Sequence, residues 1–395
     1  MRSLRRIGIA RIVLFAALAC VTPLRAFAAD AFYAPPKDIT RFAPGEIIRS
    51  EPVSPAPPHA RAWKLLYAST GLQGERIAVS GVVIVPLGNP PSGGRPIVAW
   101  AHPTTGIAQS CAPSLRGTKL YATIPGLDDL ISRGYVVAAT DYAGLGTPGP
   151  HPYLIGASEG YALLDSVRAA RKWTSEAGAQ FVAWGHSQGG QAALFAGQLA
   201  PKYAPELTLA GVAAISPPTD LPDLLRHFAG ESAGRAVAAY ALNAWSQVYE
   251  LSLDGVVKAS AIGSVRAVGR LCAETTLQSY VIALNALPLR SEFVEPSLYT
   301  VSPWDGLLAA NRPSLAVDGA PVFIAQGTAD RLVLPSVTLG FARAECKNGA
   351  KVLYEPLAGV GHDQAGVQSA SDAIAWIAAR FAGKPPEDSC PLDAP

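Results

Sequence analysis

Charged side chains are scarce in this sequence: 16% of the 395 residues are Asp, Glu, Lys or Arg, whereas 49% are hydrophobic. This composition excludes an intrinsically disordered chain, because disorder requires few apolar residues and a high net charge. It is also unlike that of a collagen or a coiled coil, and the sequence has neither an internal repeat nor a low-complexity run. The length suffices for one large core, or for one core with an inserted subdomain.

An excess of basic charge is also lacking once the first 28 residues are set apart. The whole chain has a formal net charge of +2, but those residues contain five arginines and no acid. The rest has 27 basic and 30 acidic groups, so its net charge of −3 favours no nucleic-acid partner. Nor does it contain an uncharged run of the roughly 20 residues that a transmembrane helix needs.

The amino terminus has the three parts of a secretory signal. A basic stretch is followed by a short apolar run and by Ala26-Phe27-Ala28, a cleavage site of the A-x-A type. We therefore predict a signal peptide over residues 1–28, a mature domain over residues 29–395, and a periplasmic or extracellular location. An anchored amino-terminal helix, a twin-arginine signal at Arg5-Arg6 and a lipoprotein site at Cys20 rank below ordinary secretion.

Cysteine is rare, and the four cysteines that follow the signal have no C-x-x-C spacing. That spacing is typical of zinc sites and redox motifs, so we expect neither a metal nor a cofactor. An even number in an exported protein predicts two disulfides, for which three pairings are possible, and four free thiols are the alternative. The four are Cys111, Cys272, Cys346 and Cys390.

Short apolar runs of strand length alternate with helical patterns through most of the mature chain. Such runs are typical of strands that are covered on both faces. Their alternation with helices predicts an α/β fold with an open, doubly wound, mostly parallel sheet. The predicted strands span residues 77–85, 97–101, 135–140, 181–184, 209–215, 321–325 and 351–354, and the predicted helices span 127–132, 159–173, 190–199 and 370–381.

Two segments depart from this alternation. Pro52, Pro55, Pro57 and Pro58 lie in a proline-rich stretch, which we expect to pack as an extended arm without regular structure. Between about residues 219 and 312 there is no convincing buried strand, and alanine- and leucine-rich helical stretches replace it. This second segment is predicted to be a helical cap inserted between two strands of the core.

Gly185-His186-Ser187-Gln188-Gly189 has the pattern G-x-S-x-G. The motif directly follows the predicted strand 181–184 and directly precedes a helix-forming stretch. A serine at such a strand-to-helix turn has a strained backbone and an exposed hydroxyl, so Ser187 is the predicted nucleophile. The two glycines are needed because the strand and the helix approach each other closely there.

A serine hydroxyl needs a general base, and the base needs an acid that orients it. In this kind of fold the order along the chain is serine, acid and histidine. Two histidines follow Ser187. His227 lies at the start of the predicted cap, whereas His362 lies in the loop between the last strand and the last helix, where the base is expected.

The acid is expected after the penultimate strand, and Asp330 lies there. Asp363 is a competitor, but a residue adjacent to the histidine cannot easily contact its ring. Asp141 also follows a strand, yet it precedes the serine in the chain. We therefore predict a triad of Ser187, Asp330 and His362.

Two backbone N–H groups are expected to form an oxyanion hole, because the attacked carbonyl develops negative charge. The first is that of Gln188, directly after the nucleophile. The second comes from the loop His102-Pro103-Thr104-Thr105-Gly106. Since Pro103 has no N–H group, Thr104 is the predicted second donor, and His102 is predicted to be structural.

Several motifs support a wider resemblance. They are the loop 102–106 followed by Cys111-Ala112-Pro113-Ser114, the segment 141–146, the serine motif 185–190, and the late Asp330 and His362. Across nearly the whole mature chain the sequence resembles the secretory lipase family, which includes bacterial relatives of the yeast type-A lipase. The resemblance implies an α/β-hydrolase fold with a cap inserted before the acid and hydrolysis of carboxylic esters, often triacylglycerols. It also implies the disulfides Cys111–Cys272 and Cys346–Cys390.

The sequence therefore predicts a secreted serine hydrolase that cleaves acylglycerols or other hydrophobic esters through an acyl-enzyme. Its expected partner is a small-molecule or lipid ester, without nucleic acid or a stable membrane span, and transient contact with a lipid interface stays open. A serine peptidase or amidase with the same triad is one alternative. A non-catalytic binding protein is another, although such proteins usually lose a triad member. Acyl chain length and the choice between lipase and esterase action are also open.

Overall fold

Nine strands form one sheet in the computed structural model, which describes residues 31–230, 232–273, 275–290, 292–314 and 319–392. The predicted signal peptide over residues 1–28 lies outside these ranges. The strands are β1 (Ile47–Pro52), β2 (Ala60–Thr70), β3 (Arg76–Pro86), β4 (Arg95–Ala101), β5 (Val136–Thr140), β6 (Ala177–His186), β7 (Thr208–Ile215), β8 (Val322–Gly327) and β9 (Val352–Leu357).

The order of strands across the sheet is β1-β2-β3-β5-β4-β6-β7-β8-β9. The six strands β4 to β9 are parallel to one another, whereas β1, β2 and β3 form an antiparallel extension that joins them through the antiparallel pair of β3 and β5. Every residue of β5 and β8 is buried, as expected for strands covered on both faces. The predicted fold class, a mostly parallel α/β-hydrolase sheet, is confirmed.

The expectation of an extended arm without regular structure was wrong at Pro52, and the strands β1 and β2 on either side of the proline-rich stretch were not predicted. β1 pairs with β2 at the edge of the sheet, and Pro52 is its last residue. Pro55, Pro57 and Pro58 lie in the connection to β2. A proline is tolerated at the end of an edge strand, because its missing N–H group costs no interior ladder bond.

Eleven α-helices are present in these same ranges. They are α1 (Leu127–Ser132), α2 (Gly156–Trp173), α3 (Gln188–Tyr203), α4 (Leu221–Gly230), α5 (Ser232–Val248), α6 (Ala259–Val268), α7 (Thr276–Ala286), α8 (Trp304–Ala310), α9 (Pro335–Lys347), α10 (His362–Gln368) and α11 (Ala370–Phe381). The predicted helices 127–132 and 370–381 coincide with α1 and α11, whereas α2 and α3 begin earlier in the chain than predicted. Among the described residues, no helix is sufficiently long and apolar to cross a membrane.

Helices cover both faces of the sheet. On one face, Leu163 of α2 and Leu194 of α3 pack in a core with the sheet residue Ala183. On the other face, Leu130 of α1 and Ile377 of α11 pack against residues such as Trp184. Because Ala183 and Trp184 are adjacent in β6, their opposite placement follows from the alternation of side chains along a strand.

The helices α4 to α8 lie between β7 and β8, and we use the name cap for residues 219–312. Their apolar side chains form a core of their own, which includes Leu224, Trp245, Val265 and Trp304. The start of α7 is fixed by a capping box, in which Thr275 and Gln278 exchange side-chain and backbone hydrogen bonds.

Two disulfides join distant parts of the chain. One connects Cys111, which precedes α1, to Cys272 in the cap. The other connects Cys346 in α9 to Cys390 in the carboxyl-terminal tail. These are the pairs that the family resemblance implied.

Candidate active site

The turn between β6 and α3 positions Ser187 with an unusual backbone. Its φ of 56° lies in the left-handed region that residues other than glycine rarely adopt. A Cβ atom at Gly185 would lie 2.2 Å from the carbonyl oxygen of Gly189, and one at Gly189 would lie 1.9 Å from that of Ala101. The glycines of the motif are therefore required by the close approach of strand and helix.

The structure brings together the three side chains of the predicted triad. Nε2 of His362 lies 2.8 Å from Oγ of Ser187, and Nδ1 of His362 lies 2.8 Å from Oδ2 of Asp330. In this arrangement the Nδ1–H group donates to the carboxylate, which leaves Nε2 free to accept the proton of the serine hydroxyl. The geometry is that of a nucleophile with an oriented general base.

Asp330 is buried and held by several donors. Its Oδ1 accepts hydrogen bonds of 2.9 Å from the N–H groups of Leu332 and Val333, and its Oδ2 also accepts one from the amide of Gln326. Burial acts to raise the pKa of Asp330, but the hydrogen bond from His362, its charge and the backbone donors together lower this pKa below its usual value. The carboxyl group is therefore kept ionised, as the orienting acid requires.

The residues ranked below the triad lie in other environments. The ring of His227 is 2.7 Å from the carbonyl oxygen of Arg331. Asp141 is buried and accepts hydrogen bonds from the hydroxyl of Ser80 in β3 and from the N–H of Ser114. Asp363 is exposed. None of these three makes the contact with His362 that Asp330 makes.

The predicted oxyanion donors lie beside the nucleophile. Gln188 is the first residue of α3, so its N–H group has no acceptor within the helix. Thr104 lines the same cavity as Ser187. His102 is buried, with Nδ1 2.7 Å from the carbonyl oxygen of Pro103, which fits a structural role.

Sequence reasoning missed a set of polar residues around the serine turn, namely His151, Tyr153, Glu159 and His186. His186 donates from Nε2 to the carbonyl oxygen of His362 over 3.1 Å, and it thereby fixes the backbone at His362. One signal was available for Glu159: it lies on the apolar face of α2, three and four residues before Ala162 and Leu163, where an acidic residue is out of place.

A cavity of about 620 Å³ opens over the serine. Ser187 and His362 line it together with the apolar residues Tyr240, Ile282 and Leu287 of the cap. Within the part of the chain that the structure describes, no group of three or more His, Cys, Asp or Glu side chains is arranged to hold a metal ion. The same cavity is thus lined by the hydrogen-bonded Ser187 and by apolar side chains of the cap.

A serine at a strand-to-helix turn, an acid after the penultimate strand and a histidine after the last strand together define an α/β-hydrolase. Residues 116–389 match the secretory lipase family, and the chain belongs to that family. The family resemblance predicted from the motifs is thereby confirmed. Membership also places the chain among ester hydrolases and agrees with the predicted export.

Individual relatives are distant but cover most of the chain. A secreted triacylglycerol lipase of Malassezia globosa is 27% identical over 391 residues, which cover 91% of this chain and 81% of that lipase. A protein of Mycobacterium tuberculosis named a probable inactive lipase is 28% identical over 378 residues, which cover 91% and 83%. The solved structure of Candida antarctica lipase A in its closed state has a TM-score of 0.77 at 22% identity and covers 93% of this chain and 89% of that one. This last likeness establishes the fold alone.

Proposed function

We propose that the protein is a secreted serine ester hydrolase whose nucleophile is Ser187. The observation that carries this proposal is the hydrogen-bonded series from Ser187 through His362 to Asp330 at the wall of an apolar cavity. A serine that is paired with an oriented base can attack a carbonyl carbon at neutral pH.

The first half of the reaction forms an acyl-enzyme. Nε2 of His362 takes the proton of Ser187 as Oγ bonds to the ester carbonyl carbon, and the N–H groups of Gln188 and Thr104 stabilise the resulting oxyanion. When the tetrahedral intermediate collapses, the bond to the alcohol oxygen breaks, and the alcohol leaves with the proton from His362. Asp330 holds the imidazole in the required tautomer and stabilises its charged form.

The second half returns the serine. A water molecule attacks the acyl carbon while His362 accepts its proton. Collapse of the second intermediate breaks the bond to Oγ of Ser187, which regains the proton from His362, and the carboxylic acid is released. Neither half requires a metal or a redox cofactor.

Replacing Ser187 with alanine tests this proposal. We expect Ser187→Ala to lower kcat for p-nitrophenyl esters about 10⁴-fold or more while the unfolding temperature stays near that of the wild type. Ser166→Ala is a matched control, because Ser166 is a buried serine whose hydroxyl bonds within α2. Ester turnover that survives Ser187→Ala would overturn the assignment.

The M. tuberculosis relative makes a non-catalytic protein the second candidate, because its name marks it as inactive. The two candidates differ in covalent reactivity. A fluorophosphonate should label the wild type on Ser187 and leave Ser187→Ala unlabelled. If the wild type is not labelled, the non-catalytic alternative is favoured. The amidase alternative is tested separately: a higher rate on an amide than on its matching ester would favour it.

The cap is proposed to cover the site and to receive the acyl chain. Tyr240 and Ile282 are buried residues of the cap that line the cavity over Ser187. Apolar walls favour an acyl group because its transfer from water contributes about 0.8 kcal/mol for each CH₂ group. Rates measured on esters from acetate to palmitate would locate the preferred chain length, and a maximum at acetate would contradict this role of the cap.

The outer face of α7 is proposed to contact a lipid interface. Leu277, Tyr280 and Leu284 of α7 have exposed fractions between 65% and 73%. Their spacing of three and four residues places them on one side. The helix contains no charged residue, and its other side includes Ile282 and lines the cavity. An exposed apolar stripe next to the cavity fits a hydrophobic surface that supplies the substrate.

The double variant Leu277→Ser/Leu284→Ser separates contact with lipid from catalysis. We expect hydrolysis of emulsified triacylglycerol to fall at least about fivefold, because two side chains lose apolar burial at the interface. Hydrolysis of a soluble ester should change little. Leu87→Ser, at a residue 55% exposed in the loop before β4, is the control and should alter neither rate. An equal loss on both substrates would argue against interfacial contact.

A further inference from the structure

The side chain of Gln188 is anchored behind the proposed oxyanion hole. Its Nε2 lies 3.0 Å from Nε2 of His151 and 2.7 Å from Oε1 of Glu159, and all three residues are buried. His151 lies after β5, and Glu159 lies in the first turn of α2. The proposed mechanism uses the backbone N–H of Gln188 but gives no task to these two partners.

The ring of His151 is held in one protonation state. Its Nδ1 lies 2.8 Å from the carbonyl oxygen of Ala143, so Nδ1 carries the proton and donates it. Nε2 is then an acceptor, as the amide N–H of Gln188 requires. Burial lowers the pKa of His151 to about 3, which keeps the ring neutral. Both amide hydrogens of Gln188 are therefore committed, one to His151 and one to Glu159.

Glu159 also fixes the chain that connects these partners. Its Oε1 accepts a hydrogen bond of 2.9 Å from the N–H of Leu154, a buried residue with a left-handed φ of 56°. Burial raises the pKa of Glu159 to about 8, so the group is largely neutral at pH 7. Glu159 therefore provides an uncharged acceptor oxygen to the N–H of Leu154 and to the amide of Gln188.

The same stretch of chain reaches the other proposed oxyanion donor. The hydroxyl of Tyr153 lies 2.7 Å from Oγ1 of Thr104. The backbone carbonyl of Tyr153 in turn accepts a hydrogen bond of 2.9 Å from Nε1 of Trp245 in the cap. The stretch 151–159 thus contacts both Gln188 and Thr104, which come from different loops.

We propose that residues 151–159 form a strut that positions both halves of the oxyanion hole, with His151, Tyr153 and Glu159 as its positioning residues. This inference rests on the proposed function of the site. The strut touches the side chains of Gln188 and Thr104 and leaves their N–H groups to the substrate. Donors must lie about 2.7–3.1 Å from the developing oxyanion, and a misplacement of about 1 Å is costly. Loss of the side-chain contacts behind these donors should therefore weaken transition-state binding.

Variants at Glu159 separate an acceptor from a charge. Glu159→Gln keeps an oxygen in place and should retain kcat within about threefold. Glu159→Leu removes the acceptor and should lower kcat at least about tenfold, a fraction of the 10²–10³-fold loss expected when a donor is deleted outright. Tyr153→Phe tests the other half and should give a loss similar to that of Thr104→Val. The double variant Tyr153→Phe/Thr104→Val should lose no more kcat than either single variant, since each substitution removes the same hydrogen bond.

A pair of inhibitors distinguishes positioning from general damage. A trifluoromethyl ketone forms an oxyanion on Ser187, whereas the matching alkyl ether fills the cavity without one. Glu159→Leu and Tyr153→Phe should weaken ketone binding at least about tenfold and leave ether binding and KM within about threefold. Tyr203→Phe is the matched control, because it removes a partly buried hydroxyl that bonds to Asp165 and Thr70 away from the site.

The outcomes separate the strut from the proposed function. If the wild type hydrolyses esters through Ser187 but Tyr153→Phe binds the ketone as tightly as the wild type, the strut is wrong and the function stands. If Glu159→Leu does not fold, Tyr153→Phe and the double variant still decide the matter. Equal weakening of the ketone and the ether would mean a merely structural role and would also overturn the strut.

Discussion

Burial shifts the pKa values of the ionisable side chains around Ser187. It raises the pKa of Glu159 to about 8 and lowers the pKa values of His151 and His186 to about 3. Each shift favours the uncharged form at neutral pH, because burial penalises a charge. Asp330 is the exception, since its donors outweigh burial and lower its pKa. Burial therefore keeps Glu159, His151 and His186 uncharged, whereas Asp330 stays ionised.

The buried Glu159 should make stability depend on pH. Its pKa of about 8 in the folded protein exceeds the ordinary value of 4.5. Between these values the folded state binds more protons, so its contribution to stability is present at low pH and is lost as pH rises toward 8. Glu159→Gln removes this titration. The unfolding temperature of the variant should therefore rise relative to the wild type between pH 5 and pH 8.5, and a constant difference across that range would contradict the prediction.

At the scale of secondary-structure elements, the β6–α3 turn has the strictest steric requirement, because strand and helix pack closely around Ser187. Ser187 N–H donates to the carbonyl oxygen of Ile215 in β7 over 2.9 Å, which fixes the turn against the neighbouring strand. The ends of β4, β6, β8 and β9 then bring together Thr104, Ser187, Asp330 and His362. In an open parallel sheet these carboxyl ends lie at one edge, which is where ligands bind.

Gly189→Ala should destabilise this junction. The added Cβ atom would lie 1.9 Å from the carbonyl oxygen of Ala101 in β4, and backbone cannot move aside cheaply. We expect a loss of at least about 2 kcal/mol in the free energy of unfolding. Gly340→Ala in α9 is the control, because its Cβ atom meets nothing within 4 Å and helix propensity should contribute about 0.5–1 kcal/mol. Urea unfolding of both variants measures these changes, and similar stabilities would contradict the steric argument.

At the scale of the whole molecule, the cap is attached to the main domain next to the loop 102–106, which contains the proposed oxyanion donor Thr104. Besides the Cys111–Cys272 disulfide, the N–H of Ala273 donates to the carbonyl oxygen of Thr105 over 2.8 Å. The Cys346–Cys390 disulfide lies in α9 and the tail, among residues outside the cavity lining. The first disulfide therefore lies beside the cavity, whereas the second lies away from it.

Removing each disulfide should give different results. Replacement of either pair by alanine should cost about 2–5 kcal/mol of stability. The Cys111→Ala/Cys272→Ala variant should in addition lower kcat and alter acyl-length preference. In that variant the cap is no longer linked covalently to the segment that directly follows the Thr104 loop. The Cys346→Ala/Cys390→Ala variant should keep the wild-type profile at temperatures where it is folded. Identical profiles for both variants would contradict the proposed coupling.

The sequence by itself was sufficient for the fold class and the family, and for the three side chains that the structure brings together as the proposed triad. Ser187 directly follows β6, whereas Asp330 and His362 lie in the loops that follow β8 and β9. The apolar runs of these strands and the polar residues after them can be read from the local sequence. Because parallel strands end at one edge of the sheet, chain order alone placed them near one another.

Only the tertiary structure decided which residues lie beneath and above these side chains. Glu159 and Gln188 are 29 residues apart, and no local sequence pattern at either residue predicts their contact. The pairing of β1 with β2 and the exposed side of α7 were likewise unreadable, since alternation and helical spacing mark an apolar face without saying what covers it. Burial depends on packing between distant segments, so the strut and the apolar stripe emerged only when the chain was folded.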